Sequence, residues 1–317
     1  MTIMVMMSVL SKCIAFTAKP MLPMLSHNIT KRLIFSRFCD TLDVKQLCQD
    51  VKTSDLNAML SSTAVLLRDI SYIGLNNTHY FTQQTLQLFA IHLKSIGLTH
   101  VHHFIDNSNA TQSRLQWDDT SVEHSFESVL QNYSQNNVSK RHVLEFVSQV
   151  LTGVPLKCQK RPKLDFRLTE NANYYSTPDA TLCRDETIVC NVVVKAIVIG
   201  SEHMAYDRQR SQTIGDSIAS ALHNRRTRRV HQNADQMVFA LLVRSYKFNF
   251  FSVYFRHRYL SILEDLFSDE SDDCHDWDNI NETIVANQWN NGLELDFRSL
   301  SDRQLIGKCL AFMAHFD

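Results

Sequence analysis

The spacing of apolar residues changes character along the chain. Between Thr41 and Gly97 it is helical, with Leu42, Leu47, Val51 and Leu56 leading into Leu60, Ala64, Leu67 and Ile70 at intervals of three to five residues. A further amphipathic helix is predicted from Phe81 to Leu98, placing Leu86, Phe89, Ala90 and Leu93 on one face. Asn107 to Ser139 is rich in Asn, Gln and Ser and reads as loops around a short helix near Val122 to Val129. Ser139 to Leu151 is a clear helix. Its apolar stripe is Val143, Phe146, Val147 and Val150, and Gly153 followed by Pro155 stops it.

Beyond Gly153 the period shortens. Leu164 to Leu168, Ala180 to Cys183 and Thr187 to Ile199 are rich in β-branched and apolar residues and predict strands. Arg184-Asp185-Glu186 is the expected hairpin turn between the last two. Ser211 to His223 returns to helix, Met237 to Val243 and Phe248 to Phe255 are strands, and Tyr259 to Phe267 is a final helix. The pattern predicts an α/β unit over 139–267 behind a mostly α-helical region, 40–138. Glu264 to Asp278 carries eight acids in fifteen positions without calcium-loop spacing, so 268–317 reads as an acidic loop and C-terminal tail.

Composition narrows the chemistry. A net charge of −1 over 317 residues gives no global attraction to nucleic acid or anionic membrane, so such binding needs a local patch. The seven glycines never fall at G-x-G or G-x-x-x-x-G-K spacing, which argues against dinucleotide and P-loop sites, and no organic cofactor is expected. Eight scattered cysteines form no C-x-x-C pair, the pattern of reduced thiols in an intracellular protein. No apolar run reaches 18 residues, so no integral membrane segment is expected. Residues 1–39 have no acid and several Lys and Arg. They read as a basic leader, either a targeting segment of mitochondrial type or a disordered one. Nothing in the sequence speaks to oligomeric state.

Candidate chemistry starts from a lysine in the wrong place. Lys195 sits inside the apolar run Asn191 to Ile199, where burial without a partner would be strongly destabilising. Asp179, at the start of the preceding strand pair, is the obvious partner. The two either form a structural ion pair or carry chemistry. In the second case the acid holds Mg²⁺ and the lysine stabilises charge developing on a phosphodiester.

Pro178-Asp179 followed by Lys195 on a hydrophobic strand resembles the PD-(D/E)XK, or restriction-endonuclease-like, nuclease superfamily. The predicted element order is similar to that family's α-β-β-β-α-β core, and the resemblance covers about Ser139 to Leu266. It implies that Gln212, in SQTIGDSIASALHN, faces the site and that Glu145 matches an acid on the first helix. The strand pair FALLVRSYKFNFFSVYF is similar to the closing strands of the crinkler-type and fungal branches. The family places an acid two residues before the lysine, whereas this chain has Val193. Glu202, Asp207 or Asp216 would have to replace it, and Asp216 lies one helical turn after Gln212 on the same face.

Asn224-Arg225-Arg226-Thr227-Arg228-Arg229 holds four arginines in five positions, which match phosphate contact, a nuclear-import signal or a solvated helix end. The expected function is therefore nucleic-acid binding, of DNA or RNA, with phosphodiester cleavage. Asp179, Lys195, Gln212 and Glu145 would be catalytic, Asp179 and Asp216 would hold Mg²⁺ if the protein is active, and Arg225, Arg226, Arg228 and Arg229 would hold the backbone. The alternative is a catalytically inactive nuclease-fold scaffold acting through protein interactions.

Overall fold

The computed structural model describes residues 91–107, 119–169, 172–197, 206–227, 230, 231, 233–266 and 284–316, with isolated positions between 78 and 89. The protein is mixed α/β, built on one large sheet with helices on both faces. The strands are β1 (Ile91–Ser95), β2 (Lys157–Lys160), β3 (Leu164–Thr169), β4 (Ala172–Ser176), β5 (Ala180–Arg184), β6 (Thr187–Lys195), β7 (Gln236–Arg244), β8 (Lys247–Phe255), β9 (Ile284–Gln288) and β10 (Leu295–Asp296). The helices are α1 (Thr99–Asn107), α2 (Asp119–Ser134), α3 (Lys140–Thr152), α4 (Tyr206–Arg226), α5 (His257–Leu266) and α6 (Leu300–His315). Among the described residues, no helix is long and apolar enough to cross a membrane.

The large sheet runs β1-β9-β8-β7-β6-β5-β2, with β10 paired to β8, while β3 and β4 form a separate hairpin. β6 and β7 are parallel, Cys190 opposite Phe239 through Lys195 opposite Arg244, and α4 is the crossover between them. Side-chain alternation sorts the core into two layers. Val192, Val194, Phe239, Leu241 and Val243 point toward α2, α3 and α6, whereas Val193, Val238, Ala240 and Leu242 point toward α4 and α5. The β5–β6 turn places Asp185 and Glu186 at φ 46° and 68°, the left-handed pair that a two-residue hairpin of right-twisted strands requires.

Helix α3 starts where Ser139 caps it, accepting the His142 N–H at 3.4 Å, and its predicted apolar stripe is buried. α4 is unusual. It is covered by the sheet on one side and the β3–β4 hairpin on the other, so every residue from Ser211 to Leu222 is buried although many are polar. The small polar side chains are satisfied internally. Asn191 on β6 donates to Ser217 at 3.4 Å and accepts from Ser220 at 2.6 Å, and Asn224 bonds both the N–H and the C=O of Ile188.

Gly215 on α4 lies against Phe81, in the segment before β1. A Cβ there would lie 2.5 Å from Cδ2 of Phe81, a ring that is itself buried. Gly215→Ala is therefore expected to lower stability by about 1–3 kcal/mol, despite alanine's better helix propensity. A urea midpoint at or above the parent's would show that Phe81 can move away freely.

Two expectations need correction. The helix predicted from Phe81 to Leu98 does not run through: Ile91–Ser95 is strand β1, in parallel register with Ile284–Gln288. Its helical period was overridden by a partner strand about 190 residues away, which no local period can report. Likewise 284–316 is not a tail. It supplies β9, β10 and α6, and Trp289, Phe297, Leu310 and Met313 are core residues. The helical pattern read at 41–70, the basic leader and most of the acidic run lie outside the described residues.

Candidate functional site

The antiparallel pairing of β5 with β6 brings the start of one strand to the end of the other. Asp179, just before β5, is thereby set beside the last residues of β6. Its backbone N–H donates to the Val192 carbonyl at 2.9 Å, and its Oδ2 accepts the Val194 N–H at 2.8 Å. The carboxylate is fixed by the strand it neighbours. Lys195 ends β6 on the α4 side of the sheet, and its Nζ donates to Gln212 Oε1 at 2.8 Å. It does not make the direct ion pair with Asp179 expected from sequence. The partner of Asp179 is Lys140, the first residue of α3, whose Nζ stands 2.6 Å from Asp179 Oδ1.

Asp216 completes the group. One turn beyond Gln212 on α4, it is fully buried, and its Oδ1 accepts from Ser176 Oγ at 2.7 Å and from Thr78 Oγ1. Its Oδ2 is buried with no hydrogen-bond partner. Burial is the main reason its pKa is pushed up to about 6, and the nearby negative charge of Asp179 adds to this. The two hydroxyl donors and the Lys195 ammonium pull the other way. Lys195 is itself shifted down, first by burial and then by the Lys140 charge, with Asp179 and Asp216 opposing. Two carboxyls and two lysines thus share one electrostatic environment.

Of the residues singled out from sequence, Asp179, Lys195, Gln212 and Asp216 are assembled here. Glu145 is not: it is exposed on α3, five residues from Lys140 and therefore near the opposite side of the helix. Asp207 is also outside the group, exposed and paired with Arg210. Glu202 lies outside the described residues. Val193 is fully buried in the apolar layer under α4, so a carboxylate two residues before Lys195 has no counterpart on β6.

The arginine cluster is elsewhere. Arg225 is buried, its guanidinium bonding the His257 carbonyl at 2.8 Å and Ser261 Oγ at 2.6 Å, with Glu264 2.9 Å from Nε. Arg226 shares Glu264 at 3.5 Å. These two tie α4 to α5, and about 14 residues of helix, roughly 20 Å, separate Arg226 from Gln212. Arg228 and Arg229 lie outside the described residues.

Sequence reasoning missed Lys140, Ser176 and Thr78. Ser176 had a signal, lying three residues before Asp179, at the end of β4. Lys140 had none, because only the docking of α3 on the sheet brings its ammonium to Asp179. The polar row continues across the sheet from Lys195 to Arg244, which is buried beneath the Tyr206 ring at 4.5 Å and bonds Gln209 and Glu294, each at 3.0 Å. Exposed Lys140, Arg161 and Arg208 surround the group; the Arg161 N–H donates to the Asp179 carbonyl at 3.0 Å, and Arg208 is close enough to depress Lys195.

Two carboxyls of the group could face a cation. Asp179 Oδ1 already holds a cationic group, and Asp216 Oδ2 is a buried carboxylate oxygen lacking any donor. Magnesium is commonly held by one or two carboxylates, the rest of its shell being water and substrate oxygens. No group of three or more His, Cys, Asp and Glu residues positioned for a metal occurs among the described residues. Compared with known proteins, the sequence matches no family model, and no curated protein matches it.

Proposed function

We propose that this protein is a divalent-metal-dependent phosphodiesterase acting on nucleic acid, with a site of PD-(D/E)XK type on a restriction-endonuclease-like core. The order α3, β2, β5, β6, α4, β7 supports the fold assignment, since β2, β5, β6 and β7 are neighbours in one sheet and the β3–β4 hairpin is inserted between β2 and β5. The observation that carries the functional reading is Asp216 Oδ2, a buried carboxylate oxygen without a donor, in the electrostatic neighbourhood of Asp179 and Lys195. An acid from α4 would then do the work of the acid that Val193 replaces.

Asp179 and Asp216 would hold Mg²⁺, which when bound polarises a phosphoryl oxygen and helps generate the attacking hydroxide. Lys195, oriented by Gln212, donates to the oxygen on which negative charge develops. Partial burial strengthens that interaction relative to water. Lys140, Arg161 and Arg208 give the surroundings a positive potential suited to a polyanion, which a chain of net charge −1 supplies only locally.

Incubation with single- and double-stranded DNA and RNA in Mg²⁺ or Mn²⁺ tests the reading. Cleavage is expected, and Asp179→Ala should reduce it by about 100-fold or more. Activity retained in that variant would assign the cleavage to another protein. The ion pair between Lys140 and Asp179 favours a second reading, an inactive scaffold whose carboxylate is neutralised from within. Mn²⁺ binding without cleavage of any of the four substrates would select it.

A further inference from the structure

We propose that Lys140 is a tethered counter-ion that competes with the divalent cation for Asp179, so that metal binding requires its ammonium to leave. The proposal rests on the reading of Asp179 as a metal ligand. It is argued from three features of the pair. First, the anion is fixed and the cation is not. The Asp179 side chain is 8% exposed and anchored through Oδ2 to the Val194 N–H, whereas Lys140 is 47% exposed on a flexible stem. Second, Nζ sits 2.6 Å from Oδ1, the oxygen that the strand leaves free for a metal.

Third, Lys140 is the first residue of α3, at the helix end where the backbone dipole disfavours a positive charge. Its favourable electrostatics at that position come from Asp179. The ammonium therefore reaches the carboxylate from the solvent side, at Oδ1, where an incoming cation would bind. A divalent ion binding at that oxygen meets the repulsion of an ammonium that stands 2.6 Å from it. Once displaced, Lys140 remains tethered at the rim of the site, where an anionic substrate would meet it. The metal-free protein is thus held neutral at Asp179 by its own chain, and cation and polyanion together release it.

The test is the Mn²⁺ affinity of the full chain, measured by calorimetry and by loss of the paramagnetic signal of free Mn²⁺. Parent, Lys140→Met, Lys140→Gln and Asp179→Asn are compared. Both Lys140 variants should bind Mn²⁺ about five- to tenfold more tightly than the parent, the scale of one partly exposed charge pair, and Asp179→Asn should lose binding. Gln removes the charge but keeps a polar end on a side chain one atom shorter, so agreement between the two variants excludes a folding defect peculiar to Met. Equal or weaker affinity in both overturns the competition and leaves the metal assignment standing. Absence of Mn²⁺ binding by all four proteins overturns both. Tighter binding in the Lys140 variants without nucleic-acid cleavage supports the competition while removing the nuclease reading.

Discussion

Asp216→Asn is expected to raise the melting temperature of the metal-free protein at neutral pH while abolishing Mn²⁺ binding and cleavage. The carboxyl is fully buried, one oxygen accepts from Ser176 and Thr78, and the other has no donor. Asparagine keeps the accepting oxygen and replaces the orphaned one by an amide that carries no charge. Asp216 titrates at about 6 in the fold against 3.8 for the free side chain, chiefly because burial opposes its ionisation. Two units correspond to about 3 kcal/mol, of which we expect about 2 kcal/mol in a melting experiment.

The sign follows from proton linkage. Between pH 3.8 and about 6 the folded protein holds a proton that the unfolded chain has released, so stability falls as pH rises through that window. The gain in the Asn variant should thus be near zero below pH 4, grow between pH 4 and 6, and stay constant above. A pH-independent difference would sink the explanation. Saturating Mn²⁺ should narrow the gap by stabilising only the parent. This is the opposition between stability and activity expected where a charged group is buried for function.

Trp289→Ala is expected to cost about 3–5 kcal/mol, the largest single-site loss of stability we anticipate. The indole is 2% exposed and stacks on Phe250 at 5.8 Å. It also meets His100, Phe239 and Phe312 edge-on at 4.7 to 5.8 Å, and its Nε1–H donates to Ser252 at 3.1 Å. Those partners come from α1, β7, β8 and α6, so the ring joins both ends of the described chain to its middle. Trp289→Phe should lose less, since it leaves mainly a void and an unbonded Ser252 hydroxyl. Urea midpoints of the two variants provide the check. A loss under about 2 kcal/mol for the alanine variant would mean that 284–316 is not integral to the core.

Trp289 also shows how the sequence misleads here. It lies beyond a run of acids, in a stretch rich in Asn, and nothing local marks it as central. Its burial is decided by β9, which pairs with β8 in one direction and with β1 in the other. Neither pairing has a local period to announce it, and the same is true of β1 inside a stretch that reads as helix. Helices α3 and α5 were legible from their helical apolar period and strands β5 to β8 as short apolar runs, each stopping at a turn or cap that the chain itself carries.

The candidate site divides in the same way. Asp179, Lys195, Gln212 and Asp216 were accessible from the sequence by itself. A lysine in an apolar strand demands a partner, whereas Gln212 and Asp216 entered through the family resemblance, with only their shared helical face following from spacing. What only the tertiary structure decided is which charges meet. Lys195 bonds Gln212, Asp179 is taken by Lys140, and Arg225 turns from a candidate phosphate ligand into the partner of Glu264. The reason is physical: local periodicity sets the face on which a side chain emerges, whereas an ion pair forms only when two elements dock, and docking is settled by the whole core. For this protein the one decisive example is α3, whose apolar stripe is plain in the sequence and whose packing carries Lys140 to Asp179.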